Sequence, residues 1–279
     1  GVFLMDKELD LSDLGGNVSW IPPPNAHLID YYAVYLSGGA KGEDRFQPLS
    51  DVAVGTNQVL LPADTPKGDF VYLVVFTKSA FVEQTVPAAF EFFDRRSPVA
   101  NITFFDFDLD LADIFGTLEW DPPEDVSQVT EYFLYLAEDE AGTGRSLLAG
   151  MPVGTHNFTL PEDTPLVELE FESVVKRYTH FAVYSSSSLA EMSTPQAINI
   201  SDASALVTGT TFIDKDLDPM ELGGVLSWTE PLQVDRVRFY LAYLAADAAG
   251  TARSKIGGDL EAGISEVFLP PDEPLATHR

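Results

Sequence analysis

The residues best placed to do chemistry are three runs of alternating acids: Asp6-Lys7-Glu8-Leu9-Asp10, Asp106-Phe107-Asp108-Leu109-Asp110 and Asp214-Lys215-Asp216-Leu217-Asp218. On an extended strand, side chains at i, i+2 and i+4 point to one face, so each run would present a line of hard carboxylate oxygens. Calcium is the natural cation for such a line. The candidate metal ligands are therefore Asp6, Glu8 and Asp10, then Asp106, Asp108 and Asp110, then Asp214, Asp216 and Asp218. A competing reading puts the same acids on the outward face of an edge strand, where charge blocks edge-to-edge pairing. An EF-hand is excluded. Counted from Asp106 or Asp214, the glycine position of that loop would hold Leu111 or Pro219, and its closing glutamate would be Thr117 or Val225.

A second signal is glycosylation. The chain has six Asn, and four open Asn-x-Ser/Thr sequons, at Asn17, Asn101, Asn157 and Asn199, where chance placement gives about one. Used sequons would place the chain outside the cell, although Asn and Thr also gather at strand ends for reasons of turn geometry. Other chemistry finds no motif. His27, His156, His180 and His278 are scattered, with no His-Glu-x-x-His, no Gly-x-Ser-x-Gly and no Gly-rich phosphate loop. With 44 acids in the chain, a carboxylate pair at glycosidase spacing arises by accident and carries no weight. The expectation is a protein that is not an enzyme.

Composition narrows the partners. Sixteen Lys and Arg against 44 Asp and Glu leave a net charge of −28, which repels phosphate backbones and anionic lipid and argues against nucleic-acid and membrane-surface partners. With 45% hydrophobic residues and 19 Phe, that charge decorates a real core and not a disordered tail. The absence of cysteine removes disulfides, thiolate nucleophiles and Cys-based metal sites. No apolar run is long enough to span a bilayer.

What must position the acids is a unit written nearly three times. Gly15-Gly16-Asn17-Val18-Ser19-Trp20, Phe115-Gly116-Thr117-Leu118-Glu119-Trp120 and Gly223-Gly224-Val225-Leu226-Ser227-Trp228 stand in the same place. Each is preceded by its acidic run and followed by Tyr-x-x-Tyr-Leu from Tyr32, Tyr132 and Tyr240. Next come Gly/Arg pairs (Gly42/Arg45, Gly142/Arg145, Gly250/Arg253) and a Leu-Pro turn at Leu61, Leu160 and Leu269. The boundaries read 1–98, 99–207 and 208–279. The second repeat carries an added strand or hairpin near 166–175, where Val167-Glu168-Leu169-Glu170-Phe171-Glu172 alternates with period two. The third ends at Thr277-His278-Arg279, short of its last strands.

Short alternating segments rich in Val, Phe, Tyr and Thr, punctuated by Pro, Gly and Asp, predict an all-β chain of antiparallel sandwiches, about seven strands per repeat. In the second repeat strands are expected near 102–109, 116–120, 130–137, 147–150, 157–160, 180–185 and 194–200, with Ser185–Ser188 as a loop. A strand ending Leu118-x-Trp120-x-Pro122-Pro123, then Tyr132-x-x-Tyr135, then a Leu-Pro turn before a hydrophobic strand resembles the fibronectin type III domain, in three copies over nearly the whole chain. The resemblance implies two-sheet sandwiches with Trp20, Trp120 and Trp228 packed at the core centre against the Tyr strand, and an acidic run on the first strand whose end approaches the acidic turns Glu138-Asp139-Glu140 and Glu162-Asp163 at one pole of the second repeat.

Short connections between repeats predict an elongated rod in which each acidic pole meets the next repeat, with calcium bridging the joint. The function expected is structural or adhesive: a fibre, coat or spacer segment of a larger secreted or cell-surface tandem-repeat protein. Its partners would be neighbouring repeats or other copies of the protein. The second reading is a carbohydrate-binding accessory module, with Tyr31, Tyr35, Phe104, Phe105 and Phe107 as the aromatics that would stack on sugar. A third sandwich open at its missing strands would accept a strand from another chain.

Overall fold

The computed structural model describes residues 1–274, so the third repeat's closing Thr277-His278-Arg279 lies outside the described residues. The chain is all-β, with a three-residue 3-10 turn at Ala26–Leu28 and no α-helix among the described residues. By contact it divides into two compact units. One holds Gly1–Phe104, Thr117–Phe158 and Leu166–Ile200; the other holds Phe105–Gly116, Thr159–Pro165 and the residues from Ser201 on.

In the first unit, repeat 1 forms strands β1 (Val2–Leu4), β2 (Asp13–Trp20), β3 (Tyr31–Ser37), β4 (Val52–Ala53), β5 (Gln58–Pro66), β6 (Tyr72–Lys78) and β7 (Ala88–Glu91). They build a three-stranded sheet in the order β1-β2-β5 and a four-stranded sheet in the order β4-β3-β6-β7, with antiparallel pairings. Period-two alternation sends Tyr32, Val34 and Leu36 of β3 inward, where they meet Val18, Leu61 and Leu73 in one buried cluster. Trp20 and Tyr32 stand 5.2 Å apart at its centre.

Repeat 2 repeats the plan. Strands β8 (Ala100–Phe104), β10 (Thr117–Asp121) and β13 (Asn157–Thr159) make one sheet. The other contains β12 (Ser146–Pro152), β11 (Val129–Ala137), β17 (His180–Ser187) and β18 (Gln196–Asn199) in that order. Trp120 and Tyr132 lie 5.8 Å apart. The insertion is a hairpin, β15 (Val167–Glu170) with β16 (Ser173–Arg177), turning through Phe171 and Glu172 at positive φ.

The second unit contains the short pair β9 (Asp113–Ile114) and β14 (Thr164–Pro165) together with repeat 3. There β19 (Thr208–Asp214), β20 (Glu221–Thr229) and β23 (Glu266–Pro274) form one sheet, while β21 (Phe239–Leu244) pairs with β22 (Ser254–Glu261). Trp228 and Tyr240 are 5.6 Å apart, so one aromatic pair anchors each repeat.

Two expectations require correction. The first strand of repeat 2 stops at Phe104 and does not run to Leu109. The acids that follow take up backbone N–H groups with their own side chains, which competes with a strand ladder. The run Ser185–Ser187 is not a loop but the buried end of β17. Small hydroxyls fit there because the chain continues as a strand up to Ser187, whose Oγ accepts the Leu189 and Ala190 N–H groups at the turn.

Candidate cation site at the acidic poles

Apart from Asp214, which ends β19, the acids sit in irregular segments between the first two strands of each repeat, so the one-face strand geometry does not hold. Asp106 Oδ1 accepts the N–H of Asp108 (3.0 Å), and Asp108 Oδ1 accepts that of Asp110 (2.9 Å). Asp214, Asp216 and Asp218 repeat the chain of turns at 3.0 and 2.9 Å. Nested turns of this kind fold the acids onto one another instead of lining them up along a strand.

The glycines after each run allow the close approach. Lys7 donates to the Gly15 carbonyl at 2.7 Å, and a Cβ on Gly16, which has φ +135, would lie 2.3 Å from the Met5 carbonyl oxygen. Lys215 donates to Gly223 at the same distance, and a Cβ on Gly224, φ +155, would lie 2.5 Å from the Ile213 carbonyl oxygen. In repeat 2 the corresponding bond joins Phe107 and Phe115.

Within each pole the acids divide into two roles. Asp6 is saturated by backbone: its carboxylate accepts N–H groups from Glu8 (3.2 Å), Gly15 (3.0 Å) and Arg95 (3.4 Å). Asp106 takes the same three positions, from Asp108, Phe115 and Ala203. These first acids are fasteners of the fold, which explains why Asp6 and Asp106 are 4% and 1% exposed. Glu8 and Asp10 are as buried as Asp6, and Glu8 too accepts backbone amides, from Leu9, Asp10 and Asp64, but the later acids gather where the first do not. Carboxylate oxygens of Glu8, Asp10 and Asp64 lie within 4.8 Å of one another, as do those of Asp216, Asp218, Glu221 and Asp272.

The structure adds residues that the alternation alone did not mark. After Leu-Pro, Asp64, Asp163 and Asp272 stand at positive φ, Asp64 and Asp272 where the register of β5 and β23 shifts and Asp163 in a turn, and the Asp64 and Asp272 amides bond to Glu8 and Asp216. Asp94 and Asp202 enter from the end of each repeat and accept the amides of Ser12 and Ala112, both at 2.9 Å. The other oxygen of each, Oδ1, is buried without a hydrogen-bond partner, and the Asp94 side chain is 8% exposed. The Lys67 ammonium stands 3.8 Å from the other Asp94 oxygen, Oδ2, and a cation or a proton at the bare Oδ1 would complete its partners. The available signal was the recurrence of Asp at the same offset in the Leu-Pro turn and after the last strand. Of the acidic turns expected to join, Asp163 lies at the pole, where its charge acts on Asp113. Asp139 instead accepts amides of Ala141 and Thr143 within its own turn.

Crowded carboxylates resist ionisation. Burial, opposed by its backbone bonds and aided by Asp94, pushes Asp6 up to about 6. Burial first, then the charges of Asp64, Asp10 and Asp94, raises Asp13; Glu8 and Glu221 are also raised, again chiefly by desolvation. An acid whose folded pKa exceeds its unfolded value binds protons preferentially in the native state, so stability falls as pH rises through the window between the two. For Asp6 that window runs from 3.8 to about 6. In chelator, repeat 1 is therefore expected to melt higher at pH 5 than at pH 7.5, by on the order of 1 kcal/mol after solvent screening. Calorimetry at the two values checks this, and a stability that rises with pH across that range would refute the assignment.

At the first pole the acids also meet the next repeat. Asp10 accepts the amides of Ser193 and Thr194, the latter at 3.3 Å; Lys7 Nζ donates to Ser188 Oγ at 2.8 Å; and Leu189 seats against Gly15, where a Cβ would come within 2.6 Å of its Cδ2. The linker adds Arg95 paired with Asp125 and Ser97 Oγ donating to the Asp125 carbonyl at 2.8 Å. The loop that supplies these amides is itself clamped. Arg145 lies between the rings of Tyr135 and Tyr184, 4.5 and 4.3 Å from their centroids, and pairs with Glu191 at 2.8 Å. Tyr135 donates to Glu191 at 2.8 Å and is pushed up to about 12, by burial first. Repeat 1 builds the same clamp from Arg45, Tyr35, Phe76 and Glu83. In the second unit, Arg236 donates to the Asp106 carbonyl at 2.7 Å and covers the Phe105 ring at 4.2 Å.

All four sequon asparagines are exposed. No helix among the described residues is long and apolar enough to cross a membrane.

No family model and no curated protein matches this chain. Among solved structures it is similar to domains A168–A170 of titin, at 13% identity and a TM-score of 0.27, over 69% of this chain and 60% of that one. It is also similar to the FN1–FN3 domains of chicken CNTN1, at 14% identity and a TM-score of 0.24, over 98% of this chain and 88% of the other. The architecture stands on the chain's own strand order and on the Trp–Tyr pair at the centre of each repeat: the chain is a tandem array of fibronectin type III-like β-sandwiches.

Proposed function

We propose that the chain is a non-catalytic structural or adhesive segment of a larger extracellular or cell-surface protein, in which calcium at the acidic poles stiffens the joints between repeats. The carrying observation is that one pole does two jobs. Asp10 bonds the loop of the following repeat while its oxygens share a 4.8 Å neighbourhood with Glu8 and Asp64. An ion held there would neutralise the charge that burial leaves uncompensated and fix the joint at the same time. The ligand set favoured is Glu8, Asp10 and Asp64 with bare Asp94 Oδ1 nearby, and in repeat 3 Asp216, Asp218, Glu221 and Asp272; Asp6, Asp106 and Asp214 organise these sets. The corresponding acids of repeat 2, Asp108, Asp110 and Asp163, form no such cluster among the described residues. The exposed sequons support an outside location.

Direct calcium binding tests the reading. Equilibrium dialysis should find at least two ions per chain with Kd on the order of 0.1 to 1 mM, the range of extracellular modules. Glu8→Gln and Asp216→Asn should each remove about one ion. No saturable binding up to about 10 mM would sink the calcium reading. Sugar binding draws less support, because stacking asks for an exposed coplanar platform. Phe105 and Phe107 are tilted by 57°, Arg236 covers Phe105, Phe104 packs on Phe181 and Tyr35 belongs to the arginine clamp.

A further inference from the structure

The joint between repeats 1 and 2 has two halves, and each half occurs a second time in the chain with exposed side chains. The receiving half is the pole of repeat 1, made of Lys7, Asp10 and Gly15. Repeat 3 carries the same residue types at the same offsets, Lys215, Asp218 and Gly223, whereas repeat 2 has Phe107 and Phe115 at two of the three. The backbone is the same as well. Lys215 bonds the Gly223 carbonyl at 2.7 Å as Lys7 bonds Gly15, and Asp214 accepts the Gly223 amide at 3.1 Å as Asp6 accepts that of Gly15 at 3.0 Å. Lys215 and Asp218 are exposed, and between them Leu217 is 96% exposed.

The inserting half is the loop after the sixth strand. In repeat 2 it closes through Ser187 N–H to the Ala190 carbonyl at 2.9 Å and Met192 N–H to the Ser185 carbonyl at 2.9 Å. In repeat 1 it closes identically, Ser79 to Val82 at 3.0 Å and Gln84 to Thr77 at 2.8 Å. The Arg45–Glu83 clamp holds the repeat 1 loop as Arg145–Glu191 holds the other. The residue aligned with Leu189 is Phe81, which is 97% exposed, with Val82 and Val86 beside it at 68% and 66%. An apolar side chain offered to water on a braced loop marks a contact surface.

We infer that the Phe81 loop of repeat 1 docks onto the Lys215–Asp218–Gly223 pole of repeat 3 in a second copy of this chain, reproducing the joint that Leu189 makes at Gly15. Phe81 takes the seat beside Gly223, and the amides of Thr85 and Val86 donate to Asp218 as those of Ser193 and Thr194 do to Asp10. The Lys7–Ser188 bond has no counterpart, since Ala80 replaces Ser188; the larger apolar side chain of Phe81 offsets its loss. Because the two surfaces differ, the contact is heterologous and propagates from copy to copy, as a filament or a closed ring. Asp218 is also a candidate ion ligand but Phe81 is not, so the Phe81 variant and the comparison with and without calcium separate the inference from the calcium reading.

Sedimentation velocity of the 279-residue chain, with and without calcium and up to about 500 µM, provides the test. The sedimentation coefficient should rise with concentration and pass beyond a dimer. Phe81→Asp and Asp218→Arg should each weaken association at least about tenfold. Mixing the two variants should restore one-to-one dimers, because the first keeps an intact pole and the second an intact loop. A monomer throughout, association untouched by Phe81→Asp, or a mixture that stays monomeric would each overturn the inference. Loss of calcium binding with association preserved would refute the ion sites alone.

Discussion

In 10 mM calcium the chain is expected to melt on the order of 10 °C higher than in excess chelator. An ion that binds only the native state stabilises it by RT ln(1 + [L]/Kd), so a site of about 0.1 mM contributes about 2.7 kcal/mol at that concentration. A sandwich of about 100 residues converts this into a shift of that size. The effect should be largest at pH 7 and above and shrink toward pH 5, because protons and calcium compete for the same buried carboxylates. Calcium also relieves repulsion within a chain of net charge −28, so a small shift with any divalent salt is expected from screening alone. The specific part is the difference between calcium and equimolar magnesium, and Glu8→Gln combined with Asp216→Asn should erase it. Equal shifts for the two metals in both proteins would reduce the poles to solvated charge.

The second large effect is expected in the core. Trp120, 3% exposed and 5.8 Å from Tyr132, carries more buried area than any aliphatic neighbour, and Trp120→Ala should cost about 3 to 5 kcal/mol. That is a large share of what a sandwich of this size has to spare. Chemical denaturation of the variant, followed by far-ultraviolet circular dichroism, should show a repeat 2 transition moved to lower denaturant, while the fluorescence of Trp20 and Trp228 reports repeats 1 and 3. Trp120→Phe should recover part of the loss. Its indole Nε1 has no hydrogen-bond partner, a property shared with Trp20 and Trp228, so the indole N–H contributes nothing that phenylalanine would forfeit. A variant that unfolds at the wild-type midpoint would show that the Trp–Tyr pair does not hold the sandwich.

The fold was legible because its signals are local. A tryptophan, a Tyr-x-x-Tyr and a Leu-Pro at fixed offsets, three times over, specify inward positions of antiparallel strands without reference to anything distant, and the hairpin at 167–177 was readable from alternation alone. The acidic run misled in its conformation. Period two reads as a strand, yet aspartate at every second position can equally bond the amide two residues on, and the nested turns at Asp106, Asp108 and Asp110 follow that alternative. The remaining members of the site, Asp64 and Asp94, come from turns 50 to 90 residues away in sequence. Nothing in a linear pattern reports that Asp94 would leave an oxygen bare beside Asp6. The same holds for Glu191, whose place between Arg145 and Tyr135 is visible only once the loop is closed.

Repeats 1 and 2 each carry both an acidic pole and a clamped loop, and the joint between them uses one of each. A gene segment encoding a single repeat therefore brings with it everything needed at both of its new borders. Duplicating it lengthens the protein without a compensating change elsewhere, and deleting it leaves a pole facing a loop as before. Divergence at one border, such as Phe107 and Phe115 where repeat 1 has Lys7 and Gly15, then sets which neighbours accept one another. Length and order become heritable variables that can drift independently of the sandwich that bears them.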